Sequence, residues 1–202
     1  MKKITLLLFI FFGFSYSQNL TVESGGTLTI EKTGAVTVSG NFSNSGTVTM
    51  NSDADEFSSI KISGTTSGNV TYNRFVNYAA SGEWDLIGSP VDGLSISDFV
   101  STNTSGTATL ATNGSAYAVG YYDNSTDTWT NYTTGTVVGA GNFDIGKGYQ
   151  MGTVSGGTQI LAFTGTISST DETQSIINND AANSGSGRRW NLVANPYPTY
   201  IN

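Results

Sequence analysis

Between Asn19 and Tyr72 a small pattern recurs, in which two apolar residues flank one polar residue. The pairs are Leu20/Val22, Leu28/Ile30, Val36/Val38, Val48/Met50, Ile60/Ile62 and Val70/Tyr72, with 8 to 12 residues from one start to the next. In an extended strand successive side chains point to opposite faces, so both apolar members of a pair fall on the same face. Turn signals rich in Gly and Ser, such as SGG, TGA, SGN and SGT, separate the pairs. One such pair buries too little to fold alone, and stacking several over a shared interior is the way out. The pattern predicts an all-β ladder over residues 18–78, built as a β-solenoid or as a tight meander. Very short segments with Thr, Asn and Gly at the corners favour the solenoid. The ladder is expected to end where Tyr72, Phe75, Val76 and Tyr78 crowd together, with the stem of Arg74 laid over those rings.

The rest of the chain is framed by a phrase that occurs twice, WDLIGSP from Trp84 to Pro90 and WNLVANP from Trp190 to Pro196. A Trp and two aliphatics supply apolar area, and the Pro then removes the backbone donor that a continuing sheet needs. Trp84 and Trp190 are therefore expected in the core, with Pro90 and Pro196 as stops. After Pro90, Ser95 or Ser97 is placed to cap a single helical turn carrying Phe99 and Val100. A mobile, low-complexity loop is expected from Ser101 to Gly114. SAYAVGYY, the turn DNSTD and TWTNYTT then spell a hairpin, with Tyr117, Val119 and Tyr121 on one face and Trp129 across the turn from them. GNFDIGKGYQMG and QILAFTGTI add further strands, giving at least six between Trp84 and Trp190. That is enough for a β-sandwich-like unit over 79–189, followed by the start of a second, truncated unit at 190–202.

The first residues, MKKITLLLFIFFGFSYS, combine two lysines, an apolar run from Ile4 to Phe14 and small residues at Ser15 and Ser17. This is the layout of an export signal over 1–17, with cleavage expected before Gln18. The run of 11 residues is short of the roughly 20 needed to span a bilayer, and no membrane insertion is expected after cleavage. Loss of Lys2 and Lys3 leaves 6 basic side chains against 15 acidic, a net charge of −9. Such a surface repels phosphates, which sets nucleic acid aside as a partner. Cysteine is absent, and an exported chain of this size without disulfides leans bacterial.

Several stretches taken together carry a resemblance: the leader ending in YSQ, NFSNSGTVTMNS, GNVTYNRFVN, WDLIGSPV, GKGYQM, AFTGTI and WNLVANPYP. They resemble large surface proteins of the Bacteroidetes that leave the cell through the type IX secretion system and carry its sorting domain at the C-terminus. In that family the Trp-Asn-Leu-Val-x-Asn-Pro phrase opens a β-rich unit with an aromatic hairpin and a Gly-x-Gly-aromatic strand. The resemblance covers nearly the whole mature chain. It implies a secreted or outer-surface location and an N-terminal fragment of a longer polypeptide, with downstream domains as partners. It implies no particular activity, because such regions accompany adhesins and enzymes alike.

Histidine and cysteine are both absent, which removes Ser/His/Asp triads, thiol nucleophiles and His- or Cys-ligated zinc. Carboxylate chemistry of the glycosidase kind would draw on Glu83, Asp85, Asp92, Asp98, Asp144 or Asp171, most of which adjoin turns or strand ends. Calcium is the one cofactor the residues admit. Asp123, Asn124 and Asp127 share one turn and Asp53, Asp55 and Glu56 another, although neither has the spacing of a recognised calcium loop. Tyr121, Tyr122, Trp129, Tyr132 and Tyr149 are candidates for an aromatic platform on which sugar rings stack, the competing expectation being that most alternate into the core. The function expected is therefore a secreted or cell-surface structural or adhesion module without catalysis of its own, with surface glycans or other extracellular proteins as partners. The second expectation is a carbohydrate-binding module of a larger secreted enzyme.

Overall fold

The computed structural model describes residues 18–105, 109–178 and 190–200. The export signal predicted at 1–17, like Arg188 and Arg189, lies outside the described residues. The first strands in chain order are β1 (Leu20–Val22), β2 (Thr27–Ile30), β3 (Ala35–Val38), β4 (Phe42–Asn44), β5 (Thr47–Asn51), β6 (Ser59–Ile62), β7 (Thr66–Ser67) and β8 (Val70–Phe75). β1 to β5 each pair in parallel with the strand three places further on, in the ladders β1-β4-β7, β2-β5-β8 and β3-β6. Matched residues in one ladder stand 20 to 24 positions apart, so the chain turns three corners on each circuit.

Parallel register stacks like on like. Ile30, Met50 and Tyr72 form one column through β2, β5 and β8, all within 5% of full burial. Val36 stands beside Ile60 and Leu20 beside Phe42 in the other two ladders. The corners are joined by stacked amides: Asn19 Oδ1 accepts from the Asn41 backbone N–H (2.8 Å), and Asn41 Oδ1 accepts from that of Thr65 (3.0 Å). Within the β5-β8 pairing, Asn73 Nδ2 donates to Asn51 Oδ1, side chain to side chain (3.0 Å). Asn19 and Asn41 thereby satisfy corner backbone that no strand partner reaches. β4 and β7 escape the two-apolar pattern because β4 buries only Phe42 and β7 is Thr66–Ser67.

The second region contains β9 (Asp85–Ile87), one α-helix α1 (Ile96–Asn103), β10 (Thr112–Asn113), β11 (Ala116–Asp123), β12 (Thr128–Thr133), β13 (Tyr149–Met151) and β14 (Ile160–Gly165). A sheet in the order β10-β11-β13-β9, with β12 on β11, is antiparallel throughout. β14 does not join it. It runs antiparallel along the whole of β8, from Ile160 opposite Phe75 to Gly165 opposite Val70. Phe163 thereby extends the Ile30–Met50–Tyr72 column and meets Phe99 of α1, with ring centroids 4.8 Å apart. Phe143 stands edge-on to both Phe99 and Tyr149, tying α1 to the second sheet. Among the described residues the chain is all-β apart from α1, in several sheets and without a barrel.

α1 is longer than the single turn expected. Ser95 caps it, its Oγ accepting from the Asp98 N–H (2.9 Å). Asn103 ends it as a buried strand mimic: Nδ2 donates to the carbonyls of Phe99 and Ala162, and Oδ1 accepts from the Ala162 N–H. This amide pins part of the Ser101–Gly114 stretch, which also carries the buried Thr109 and Leu110. The expectation of a mobile loop there fails for those residues, because polar composition hid an amide that completes the exposed edge of β14.

Two glycines share a left-handed φ of +80° but not their surroundings. A Cβ on Gly25 meets nothing within 4 Å, whereas one on Gly68 would sit 1.9 Å from the Asn44 carbonyl oxygen where successive circuits touch. Gly25→Ala is expected to cost on the order of 1 kcal/mol from backbone strain alone. Gly68→Ala should cost at least about 2 kcal/mol more, because two circuits must separate. Urea denaturation of the two variants side by side measures the difference.

Candidate functional site

The aromatic hairpin is the part of the molecule that the sequence marked for binding. β11 and β12 pair with Tyr122 opposite Trp129, Tyr121 opposite Thr130 and Gly120 opposite Asn131. Trp129 lies across the turn from Tyr121, as expected, and on the face of Tyr122, because the turn length sets the register one residue away. The five candidate rings divide accordingly. Tyr122 and Trp129 stand on the outer face, centroids 5.4 Å apart and tilted by 59°, with Trp129 38% exposed. Tyr121 and Tyr132 stack on the other face at 5.6 Å. Tyr149 is buried, its phenol oxygen accepting from the Asp144 N–H (2.9 Å).

The outer pair gains a third ring that was assigned to the core. Trp190 is 60% exposed and leans on Tyr122, with centroids 6.3 Å apart. The second Trp phrase turns other residues inward: a Cβ on Gly148 would strike Leu192 at 2.3 Å, and one on Gly88 would strike Ala194 at 2.5 Å. Those glycines are sockets for Leu192 and Ala194, and Pro196 is buried beyond them. With Leu192 seated, the neighbouring Trp190 is left on the surface. Trp84 is partly buried against the core and Pro90 is buried, so the two phrases share residue types but not burial.

The segment 190–194 lies along residues 146–148, just before β13. Gly148 N–H donates to the Leu192 carbonyl and Ala194 N–H to that of Gly146, both at 2.9 Å. Between this segment, the hairpin and residues 174–177 opens a cleft of about 360 Å³. Its walls include Tyr121, Tyr122, Asn124, Lys147, Ile176 and Trp190. Lys147 Nζ reaches the ring of Tyr121 (5.3 Å to the centroid) and pairs with Asp144 (3.2 Å). The WNLV wording placed Trp190 in the core, and nothing in it told inward from outward.

The proposed calcium ligands of the hairpin turn are each engaged by neighbouring groups. Asp123 Oδ1 accepts from both the N–H and the hydroxyl of Ser125 (2.9 and 2.6 Å), which holds its carboxyl below the usual range. Asp127, at a left-handed φ of +56°, accepts from the Tyr122 hydroxyl (2.7 Å). Asn124 turns its amide to the Trp190 carbonyl. The turn is thus closed by its own side chains, and its asparagine staples the second Trp phrase to the hairpin. In the other acidic turn, Asp53 accepts from the backbone of Asp55 and Glu56, and Lys32 bridges Asp53 and Glu56. Of the catalytic candidates, Asp85 holds the backbone and side-chain amides of Asn77 (2.8 and 3.0 Å), and Asp92 accepts from the Gly93 N–H.

Burial pushes the phenol of Tyr149 up to about 12, the N–H from Asp144 opposing it, and raises that of Tyr132 as well. A folded pKa above the unfolded value of about 10 means that the stability held in the protonated phenol is intact below that pH. It is lost as pH climbs through about 12. The urea midpoint of the chain is expected to fall between pH 10 and 12 and that of Tyr149→Phe, which cannot ionise, to fall less steeply.

No curated protein and no solved structure matches the chain. The family model of a domain of unknown function, DUF8693, matches residues 12–202, and the chain belongs to that family.

Proposed function

We propose that the chain is a secreted or cell-surface structural module without catalysis of its own. In this reading residues 18–78 form a short three-sided β-solenoid, 79–189 a sandwich-like unit built on its end, and 190–202 the opening of a further unit. The module spaces, displays or adheres on behalf of domains encoded further along the same polypeptide. The observation that carries it is the parallel stacking of like residues, with β14 laid over the last circuit, which suits a stiff spacer. The carboxylates at Asp85, Asp92 and Asp123 support it as well, since each is spent on neighbouring backbone. The leader and the motifs shared with Bacteroidetes surface proteins support export, by the type IX route. Expression of the full chain in a bacterial host should give a secreted or periplasmic product whose first residue is Gln18. Retention in the cytoplasm with Met1 intact would overturn the export reading, and mass spectrometry of the product decides.

The second reading is a carbohydrate-binding module, favoured by one observation: Tyr122, Trp129 and Trp190 gather on the outer face beside the cleft. Rings tilted by about 60° make a corner instead of a flat platform, which suits the turn of a glycan chain more than a crystalline surface. Binding on a glycan array that falls roughly tenfold or more in Trp129→Ala would support it, in line with the loss of one stacking ring. An array with no signal above background leaves the spacer reading alone.

A further inference from the structure

The two ends of the parallel ladder are finished differently. At the far end each strand of the last circuit is covered: β14 lies along β8, the Ile60 N–H of β6 donates to the Pro198 carbonyl (2.8 Å), and the Thr66 hydroxyl of β7 donates to the Ile167 carbonyl (2.6 Å). At the near end β1, β2 and β3 pair only with the next circuit, and among the described residues nothing bonds to their other edge. The interior is open at the same place. Leu20, Leu28 and Val36 are only partly buried, whereas the residues stacked on them, Phe42, Val48 and Ile60, are within 2% of full burial.

Strand alternation fixes which backbone groups are open. The Gly26 carbonyl accepts from the Thr47 N–H, so Leu28 and Ile30 also turn their backbone groups to β5, and Thr27 and Thr29 turn theirs outward. By the same reasoning the bonds from Ser45 to Val22 and from Ser59 to Gly34 leave Thr21 of β1 and Ala35 and Thr37 of β3 facing outward. Native proteins block such an edge with a charged side chain, a Pro or a bulge. The three strands read LTV, TLTI and AVTV, with no charge, no Pro and an unbroken register.

We propose that this end is a self-association surface, on which a second copy of the chain docks head to head about a two-fold axis at Thr29. The edge is self-complementary under that operation. Thr29 of one copy stands opposite Thr29 of the other, and the two exchange both N–H···O=C bonds as an antiparallel pair. Leu28 then stands opposite Ile30 of the second copy, which places apolar side chains on the inner side and prolongs the buried column. The same axis sets β1 of each copy against β3 of the other, so all three open edges are matched at once. Charge favours this meeting place, because a chain of net charge −7 repels its own copy least where the facing strands carry none. Since the far end is covered, no second edge is left and association closes at two copies. Strands of 3, 4 and 4 residues make an interface smaller than the standard of about 800 Å² per partner, so the dimer is a weak one. The inference uses only the ladder and stands whether or not the export reading does.

Sedimentation velocity of the purified chain over a concentration series tests it. A monomer–dimer equilibrium with a midpoint of about 1 to 100 µM is expected, with no larger species. Thr29→Lys and Thr29→Glu each place like charges opposite one another at the axis and should each raise the midpoint at least about threefold. Mixing the two variants in equal amounts should restore it, since Lys then faces Glu. Thr49→Lys puts the same charge in the same column one circuit further in, away from the edge, and should associate as the parent does. A parent chain that stays monomeric up to about 300 µM overturns the proposal, as does a Thr29→Lys variant that dimerises like the parent. A mixture that fails to recover overturns the axis at Thr29, and an equal loss in Thr49→Lys overturns the edge as the surface.

Discussion

Parallel pairing between successive circuits is the constraint on which the rest of the molecule depends. It forces residues 20 to 24 positions apart to share a side of the fold, so that a position's identity is dictated by the one beneath it. A slip of one residue would carry Met50 out of the interior and Thr49 into it. The column of Ile30, Met50, Tyr72 and Phe163 fixes that register, the amides of Asn19 and Asn41 join a corner beside it, and those of Asn51 and Asn73 stack within the strands. The second sheet inherits its position from this column through Phe163, Phe99 and Phe143.

The same architecture explains a composition with 11% charged residues. Amide and hydroxyl ladders do at the corners what ion pairs do in many other folds. Thr71 and Thr164 join hydroxyls across β8 and β14 at 2.9 Å, and Asn44 reaches the carbonyl of Asn69 between circuits. The ion pairs of Lys32 and Lys147 lie at exposed turns, where such contacts add little to stability. The two acidic turns follow this logic too, since Asp53 and Asp123 accept from backbone within their own loops.

Much of this was legible in the sequence where burial alternates locally. Each of the six apolar pairs falls on a strand, namely β1, β2, β3, β5, β6 and β8, and among the described residues six strands lie between Trp84 and Trp190. β4 and β7 were not legible, since one apolar residue or none leaves no period to read. Neither was the pairing of β14 with β8, because nothing local to residues 160–165 specifies a partner 90 residues earlier. At the candidate sites the aromatic residues were visible, but their faces were not: the turn register separated Trp129 from Tyr121, and the seating of Leu192 against Gly148 left Trp190 outside.

The late arrival of β14 has a consequence for how the molecule is made. Until residues 160–165 have been synthesised, β8 presents a row of unpaired backbone groups at the top of an otherwise complete stack. Closing it requires a contact across almost half the chain, which is slow in the way that all long-range strand pairing is slow. A nascent or partly threaded molecule is therefore a different object from the finished one: it carries a sticky template at one end, and edge-to-edge joining of two unfinished copies competes with completion of either.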